Sequence, residues 1–228
     1  AWSAPGINAR LRGAMKMKIS FELPVEGRLR PNNDRDPLPY YYRPVVGRLY
    51  HHRLQMGLDL LPAGARRVLE VGVGSGVLVP TLTAAYPVYV GTDLFLADGL
   101  PDLVAPGCSA SFRTADLLDG STLPEASFDA IVCFSVLEHI HDADGAARGL
   151  ARALAPGGTL VTGYPMVSPL MTSAFKLIGY KTIDDDHVTT PTRIAAALSR
   201  VLTPVRRVAF PPRAPVAAAL YQCTSWTR

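Results

Sequence analysis

Glu70-Val71-Gly72-Val73-Gly74-Ser75-Gly76 follows the short apolar run Arg67–Val71 and precedes a segment suited to a helix. The run reads as a buried strand because it is apolar without alternation. Glycines at its end allow a sharp turn and let a ligand approach the main chain. The pattern is E-x-G-x-G-x-G. A dinucleotide fingerprint is G-x-G-x-x-G, and Val77 stands where its third glycine belongs. A phosphate-binding P-loop needs G-K-[ST], which is absent. A glycine turn alone is equally consistent with a ligand-free strand-to-helix connection.

Working outward, strands and helices alternate. Val45–Leu61 reads as a helix stopped by Pro62 and Gly64, and residues 76–86 as a helix ended by Pro87. Val88–Thr92 is a second strand, Ala97–Val104 a weak helix, Ala110–Thr114 a third strand and Phe128–Phe134 a fourth. Asp142 caps a helix to Leu154, and Pro156-Gly157-Gly158 turns the chain into a fifth strand, Thr159–Gly163. Alternation of this kind predicts a parallel sheet with helices on both faces. Thr192–Leu202 is a further helix. Val205–Phe210 and Leu220–Trp226 are joined by a segment too short and proline-rich for a crossover, so they pair antiparallel.

Two acids strengthen the ligand reading. Asp93 ends the second strand, about 20 residues past the glycines, where a carboxylate can accept both hydroxyls of a ribose. Asp116, in Thr114-Ala115-Asp116-Leu117, can accept an exocyclic amine while Leu117 packs on the ring. Each acid has a local alternative as a cap or turn residue.

Together these stretches resemble the class I methyltransferase family, from about Val45 to the end of the chain. VLEVGVGSG is similar to its first motif, GTD to its second, TADL to its third, FDAIVCFSVLEHI to its fourth and LAPGGTLV to the stretch after it. Within the family the chain looks most like the small-molecule group that includes ubiquinone and menaquinone C-methyltransferases. The resemblance implies a Rossmann-like three-layer α/β/α sandwich, with a seven-stranded, mostly parallel sheet whose last strand is antiparallel. It implies S-adenosylmethionine as cofactor, leaving as S-adenosylhomocysteine. It implies that Glu70, Gly72, Gly74 and Gly76 shape the methionine and ribose side. Asp93 would hold the ribose with Leu94 beside the adenine, Asp116 and Leu117 would read the adenine, and Phe134 and Ser135 would line the methionine side.

Methyl transfer from a sulfonium needs no metal in principle; a hydroxyl or amine acceptor needs a base. Glu138, His139 and His141 follow the fourth strand, at the expected mouth of the site. His139 is a candidate base, or a residue that orients the loop. Asp186 and His187 form a second candidate pair, with a solvated turn as the alternative. Substrate-side expectations fall on the insertion 164–190, with Tyr164, Met171 and Phe175, and on Tyr41 within Tyr40-Tyr41-Tyr42.

The remaining inferences are compositional. The 228 residues are 48% apolar, enough for one domain at 44–228 preceded by a basic segment at 1–43, and residues 1–14 are expected to lie ahead of an alternative start, since Met15 and Met17 fall inside the chain. Residues 1–53 hold ten Lys and Arg against four Asp and Glu, while the rest hold thirteen against fifteen. The basic segment is either a solvated leader or a positive lid that attracts an anionic substrate or a membrane surface. Cys108, Cys133 and Cys223 lack metal or disulfide spacing, and a cytoplasmic protein is expected. No apolar run is long enough to span a membrane, so membrane contact is at most peripheral. The acceptor side lacks the [D/N]-P-P-[Y/F] of base-amine methylases, and nucleic acid is not expected as substrate. The expected partners are a small-molecule acceptor, either a natural product, a quinone-like or a lipid-linked molecule, and, for assembly, either none or a second copy. The rival readings are a non-catalytic S-adenosylmethionine-binding partner protein and, less favoured by the glycine pattern, an NAD(P)-dependent oxidoreductase.

Overall fold

A computed structural model describes residues 18–34, 36–119, 122–166, 188–212 and 218–228. Met171, Phe175 and His187 lie outside the described residues, as do Asp184-Asp185-Asp186. Seven strands run in the order β3-β2-β1-β4-β5-β7-β6. They are β1 (Arg67–Val71), β2 (Val88–Asp93), β3 (Ser109–Thr114), β4 (Phe128–Phe134), β5 (Leu154–Pro165), β6 (Thr203–Phe210) and β7 (Tyr221–Thr227). The first five pair parallel, and β7 pairs antiparallel with both β5 and β6. The expected Rossmann-like sheet, with its antiparallel last strand, is therefore present. The chain moves outward from β1 to β2 and β3, then returns to place β4 on the other side of β1. That reversal opens a crevice at the C-terminal ends of β1 and β4, where open α/β sheets bind ligands.

Strand periodicity divides the core into two halves. Val68, Ala130, Val132 and Val161 pack on one face with Leu54, Leu58, Val79 and Leu82 from α2 (Val46–Leu58) and α3 (Val79–Ala85). Leu69, Ile131, Cys133 and Leu160 pack on the other with Ala146, Leu150, Ile194 and Leu198 from α4 (Ala143–Ala153) and α5 (Pro191–Ser199). Each such buried aliphatic side chain stabilises the fold by roughly 1.5–3 kcal/mol before entropy is counted. A one-turn helix α1 (Leu38–Tyr41) precedes α2. The expected cap Asp142 accepts from the N–H of Gly145 at 2.8 Å, and Thr190, which the sequence reading did not name, accepts from that of Arg193 at 3.3 Å and caps α5.

Some elements depart from expectation. The weak helix at Ala97–Val104 is only a 3-10 turn, Leu100–Leu103, because Gly99 enters it at φ 78° and Pro101 removes a donor. Helix α3 starts at Val79 rather than 76, since the glycine loop is held in non-helical conformations up to Gly76 and Pro80 suits a first turn. Helix α2 ends at Leu58, after which Leu60 and Leu61 close tighter turns onto Gly57 and Leu58. Strand β5 begins at Leu154: it pairs with Phe128, the Pro156-Gly157-Gly158 turn bulges out, and pairing resumes at Thr159 with Ala130.

Two close contacts place the elements around the crevice. A Cβ on Gly57 would lie 2.1 Å from Cζ of Phe134, so α2 sits directly on the end of β4. A Cβ on Gly149 would lie 2.7 Å from the carbonyl oxygen of Leu117, so α4 sits against the loop that carries Asp116.

Candidate functional site

A cavity of about 1070 Å³ occupies the crevice and runs from Asp116 and Leu117 at one end to Tyr41, Arg53 and Glu138 at the other. It exceeds the usual range of small-ligand sites, roughly 300–1000 Å³, which leaves room for a nucleoside cofactor and a second molecule. The structure brings Glu70, Gly72, Gly74, Asp93, Leu94, Asp116, Leu117, Phe134, Ser135, Glu138, His139 and Tyr41 to its wall. Gly76 and Tyr164 lie off it.

At the first end the main chain does most of the holding. The N–H groups of Gly72 and Val73 donate to the carbonyl of Thr92 at 2.8 and 3.0 Å, which fastens the loop after β1 to the end of β2. Gly72 has φ 82°, and a Cβ there would lie 2.2 Å from Cγ2 of Val136. Only glycine permits both the turn and the approach of the segment after β4. Gly76 has a packing role instead, since a Cβ would meet Leu100 and Leu103 at 2.6 and 2.7 Å.

Asp93 accepts from the N–H of Gly74 at 2.8 Å through one oxygen and from that of Phe95 at 3.2 Å through the other. Each carboxylate oxygen has a second lone pair, so both can also accept from a ligand diol. Beside it Leu94 and Phe95 are 55% and 65% exposed, an apolar surface at the cavity mouth that a flat heterocycle would cover. Asp116 accepts from the N–H of Leu118 at 2.9 Å through one oxygen, and Leu117 is buried beneath it.

Glu70 is buried, and its carboxyl accepts from the hydroxyl of Tyr89 at 2.6 Å. Burial pushes its pKa up to about 8, against the Tyr89 hydrogen bond, and the charge of Asp93 pushes the same way. The carboxyl is therefore mostly protonated at neutral pH. The segment before α1 crosses the loop. Asp36 accepts from the hydroxyl of Ser75 at 3.3 Å and from the N–H groups of Asn32 and Leu38, and Asn32 donates to the carbonyl of Phe95 at 3.2 Å.

The other end is built from side chains. After Phe134, Ser135 adopts φ 55°, unusual for a residue with a Cβ, and its N–H donates to the carbonyl of Gly163 at 2.7 Å. Its hydroxyl lies 3.2 Å from that of Tyr221. A 3-10 turn, Leu137–His139, then carries Glu138 inward and leaves His139 exposed at the wall. Glu138 is 3% exposed, and its Oε2 has no hydrogen-bond partner among the described residues. Burial raises its pKa to about 7, against the charges of His139 and Arg53 and its own backbone N–H. Its carbonyl accepts from the N–H groups of Val188 and Thr189 at 2.9 and 3.1 Å, so the turn is pinned to the segment before α5.

Arg53, on α2, lines the same end of the cavity as Glu138. It donates to the hydroxyl of Tyr41 at 3.1 Å, and its guanidinium lies 3.9 Å from the ring centre of Tyr50 and 5.4 Å from that of Tyr221. The sequence reading passed over Arg53, Tyr50, Asp36 and Ser75. A signal for the first pair was present: Gly47, Tyr50, Leu54 and Gly57 make the buried stripe of α2, and Arg53 interrupts it beside Leu54. Tyr164, expected at the substrate, is 1% exposed and accepts from the Gln222 amide at 3.2 Å in the core between β5 and β7. Its position on the far face of β5 turns it away from the cavity, into the half of the core lined by α4 and α5.

Comparison with known proteins accords with this geometry. Residues 38–202 match the family described as "Methyltransferase domain". The chain is similar to a ubiquinone biosynthesis O-methyltransferase of Xanthomonas axonopodis pv. citri, 34% identical over 109 residues, 44% of this chain and 43% of that protein. It thus spans less than half the length of that relative. Among solved structures it is similar to the N-methyltransferase NodS of Bradyrhizobium japonicum in complex with S-adenosylhomocysteine, with TM-score 0.59, 22% identity, and coverage of 86% of this chain and 93% of that one. It is also similar to an S-adenosylmethionine-dependent methyltransferase of Mesorhizobium loti, with TM-score 0.58, 19% identity and coverage of 76% and 96%.

Proposed function

The chain belongs to the methyltransferase domain family, and from that premise we propose that it moves the methyl group of S-adenosylmethionine onto a hydroxyl or amine of a small-molecule acceptor. The observation that carries the reading is the continuity of one cavity. It joins a cradle suited to a nucleoside cofactor to the buried carboxyl of Glu138, whose Oε2 has no hydrogen-bond partner among the described residues.

The cradle fits the cofactor by its chemistry. Asp93 suits a ribose, Asp116 an exocyclic amine, and Leu94, Phe95 and Leu117 an adenine ring, while Gly72 lets Val136 pack against the loop at the cavity wall. When bound, S-adenosylmethionine supplies a methyl group on a positive sulfur, which keeps the electron pair of the bond that breaks. The protein's part is to align the acceptor and exclude water; orientation of that kind is worth roughly 7–11 kcal/mol in well-ordered systems. As the acceptor oxygen or nitrogen forms its new bond, its proton passes to Glu138. A pKa near 7 suits that task, because the group is partly ionised at neutral pH and still basic enough to take a proton. His139, exposed at the wall, is the outlet to solvent.

Among the described residues no helix is long and apolar enough to cross a membrane. We place the protein in the cytoplasm because Cys108, Cys133 and Cys223 are free thiols, with a small molecule rather than nucleic acid as acceptor because residues 54–228 carry no excess of basic residues. Titration calorimetry with S-adenosylhomocysteine and with NADH tests the cofactor, and turnover of S-adenosylmethionine across an acceptor panel tests the transfer. Tight binding of NADH with no response to S-adenosylhomocysteine would sink the reading. Cofactor binding with no turnover on any acceptor would favour a non-catalytic binding partner instead.

A further inference from the structure

Residues 18–37 precede Leu38, where the match to the methyltransferase domain begins, so the family likeness assigns them no part in the site. They nonetheless cross it. The first stretch is an anchor. Gln55 on α2 accepts from the N–H of Phe21 and donates to the carbonyl of Ile19, both at 2.8 Å, and Thr81 on α3 accepts from the N–H of Glu22 at 3.2 Å. Ile19, Phe21 and Leu23 pack on the core beneath. Gly27 then turns the chain at φ 86°, with nothing within 4 Å of a Cβ placed there, and Leu29 is buried just beyond it.

Past that turn the contacts change character. Asn32, Asn33, Asp34, Asp36 and Pro37 line the cavity. The side chain of Asn32 donates to the carbonyl of Phe95 at 3.2 Å, and Asp36 accepts from the hydroxyl of Ser75 at 3.3 Å. The N–H of Asn32 donates to Asp36 at 3.1 Å, which closes the two residues into one clasp. Its ends grip the loops after β2 and β1. Asp93 grips the same two loops from within, through the N–H groups of Phe95 and Gly74. The loops are thus fastened twice, by a carboxylate inside the cavity and by the clasp at its wall. Covering apolar surface accounts for the anchor but not for the clasp, whose contacts are polar and fall on these two loops.

We propose that Asn32 and Asp36 are positioning residues for the cofactor. By fixing the loops after β1 and β2, the clasp fixes the orientation in which both oxygens of Asp93 meet a ribose diol. A group ordered before its ligand arrives leaves less ordering for binding to impose. Docking of the clasp and binding of the cofactor are then coupled, each strengthening the other by the same factor. The inference rests on the methyltransferase reading above and concerns its cofactor rather than its acceptor.

The test is titration calorimetry of S-adenosylhomocysteine on the full chain. Asn32→Ala is expected to weaken binding about three- to tenfold and Asp36→Ala about tenfold or more, as the loss of a neutral bond and of several charge-assisted ones implies. Because the clasp acts through Asp93, each loss should shrink to less than about twofold in an Asp93→Ala background. Hydrogen exchange on the wild type reads the same coupling from the other side. The amides of Arg28, Leu29 and Arg30, which do not line the cavity, should exchange about tenfold more slowly when S-adenosylhomocysteine is bound. The proposal is overturned if either variant leaves the affinity unchanged, or if these amides exchange equally in the free and bound protein. It is also overturned if Asp36→Ala costs as much without Asp93 as with it, which would mark a direct contact or a general loss of structure. Should Asp36→Ala fail to fold, Asn32→Ala and the wild-type exchange decide the matter. Failure of S-adenosylhomocysteine to bind the wild type would instead remove the methyltransferase reading itself.

Discussion

The two ends of the cavity are made by different means. At the cofactor end, polar groups are already paired: Asp93 with the Gly74 and Phe95 amides, Glu70 with Tyr89, and Gly72 and Val73 with Thr92. At the acceptor end, Oε2 of Glu138 and Nε of the half-buried Arg53 have no hydrogen-bond partner among the described residues. The first is a rigid receptacle for one ligand whose shape does not change. The second holds unspent donors and acceptors, so its affinity depends on what a particular acceptor brings. Substitutions at the two ends should therefore fail differently, one in cofactor binding and the other in turnover.

The largest effect is expected at the acceptor end. Glu138→Gln keeps shape and removes the base, so kcat should fall about 10²–10⁴-fold while S-adenosylhomocysteine affinity stays constant. The group must be ionised to accept a proton, so the wild-type rate should rise with pH through about 7 and the variant should lose that inflection. His139→Ala, at an exposed side chain, should cost less than about tenfold in the same assay. If His139→Ala proves as damaging as Glu138→Gln, the base is the histidine.

Gly72→Ala comes next, at the cofactor end. Its Cβ would meet Val136 at 2.2 Å from a left-handed backbone position. Overpacking and backbone strain together cost about 2–5 kcal/mol. Melting temperature should drop by roughly 2–4 °C for each kcal/mol, and calorimetry should show weakened S-adenosylhomocysteine. Adding Val136→Ala should return part of the loss, because strain at φ remains but the clash does not. Asp93→Ala should weaken S-adenosylhomocysteine about ten- to hundredfold with little effect on folding. Unchanged affinity would dissolve the distinction drawn between the two ends.

The smallest effect is on stability. Glu70 and Glu138 keep their protons in the folded state up to about pH 8 and pH 7, while in the unfolded chain they ionise near their ordinary 4.5. Between those values the folded state binds more protons, so stability falls as pH rises. Glu70→Gln should flatten part of that decline, read as a smaller fall in melting temperature between pH 5 and pH 8. A wild-type melting temperature that climbs from pH 5 to pH 8 would contradict the buried, proton-holding carboxyls.

Legibility in the sequence followed the same division. The cofactor end is assembled from contiguous stretches at strand ends, and a glycine turn or a strand-terminal aspartate carries its meaning within a few residues. The sheet was readable for the same reason, since short apolar strands broken by Pro and Gly leave few alternatives. The acceptor end draws together Tyr41 and Arg53 from before β1, Glu138 from after β4, and Tyr221 from β7. Glu138 and Tyr41 are each named from the sequence, but no local pattern announces that residues up to 180 positions apart meet. Tyr164 shows the complementary difficulty: alternation along a strand decides whether it meets ligand or core, and a shift of one residue reverses the answer.

The seat of Gly57 on Phe134 sets how this protein could be adapted. Ring and helix touch with no intervening side chain, and the ring itself forms part of the cavity wall. A roomier acceptor chamber therefore cannot come from tilting α2 outward, which would strip Phe134 of its support and disturb the wall shared with the cofactor. New capacity has to come from trimming the side chains that project from a stationary helix, Tyr50 and Leu54 first among them.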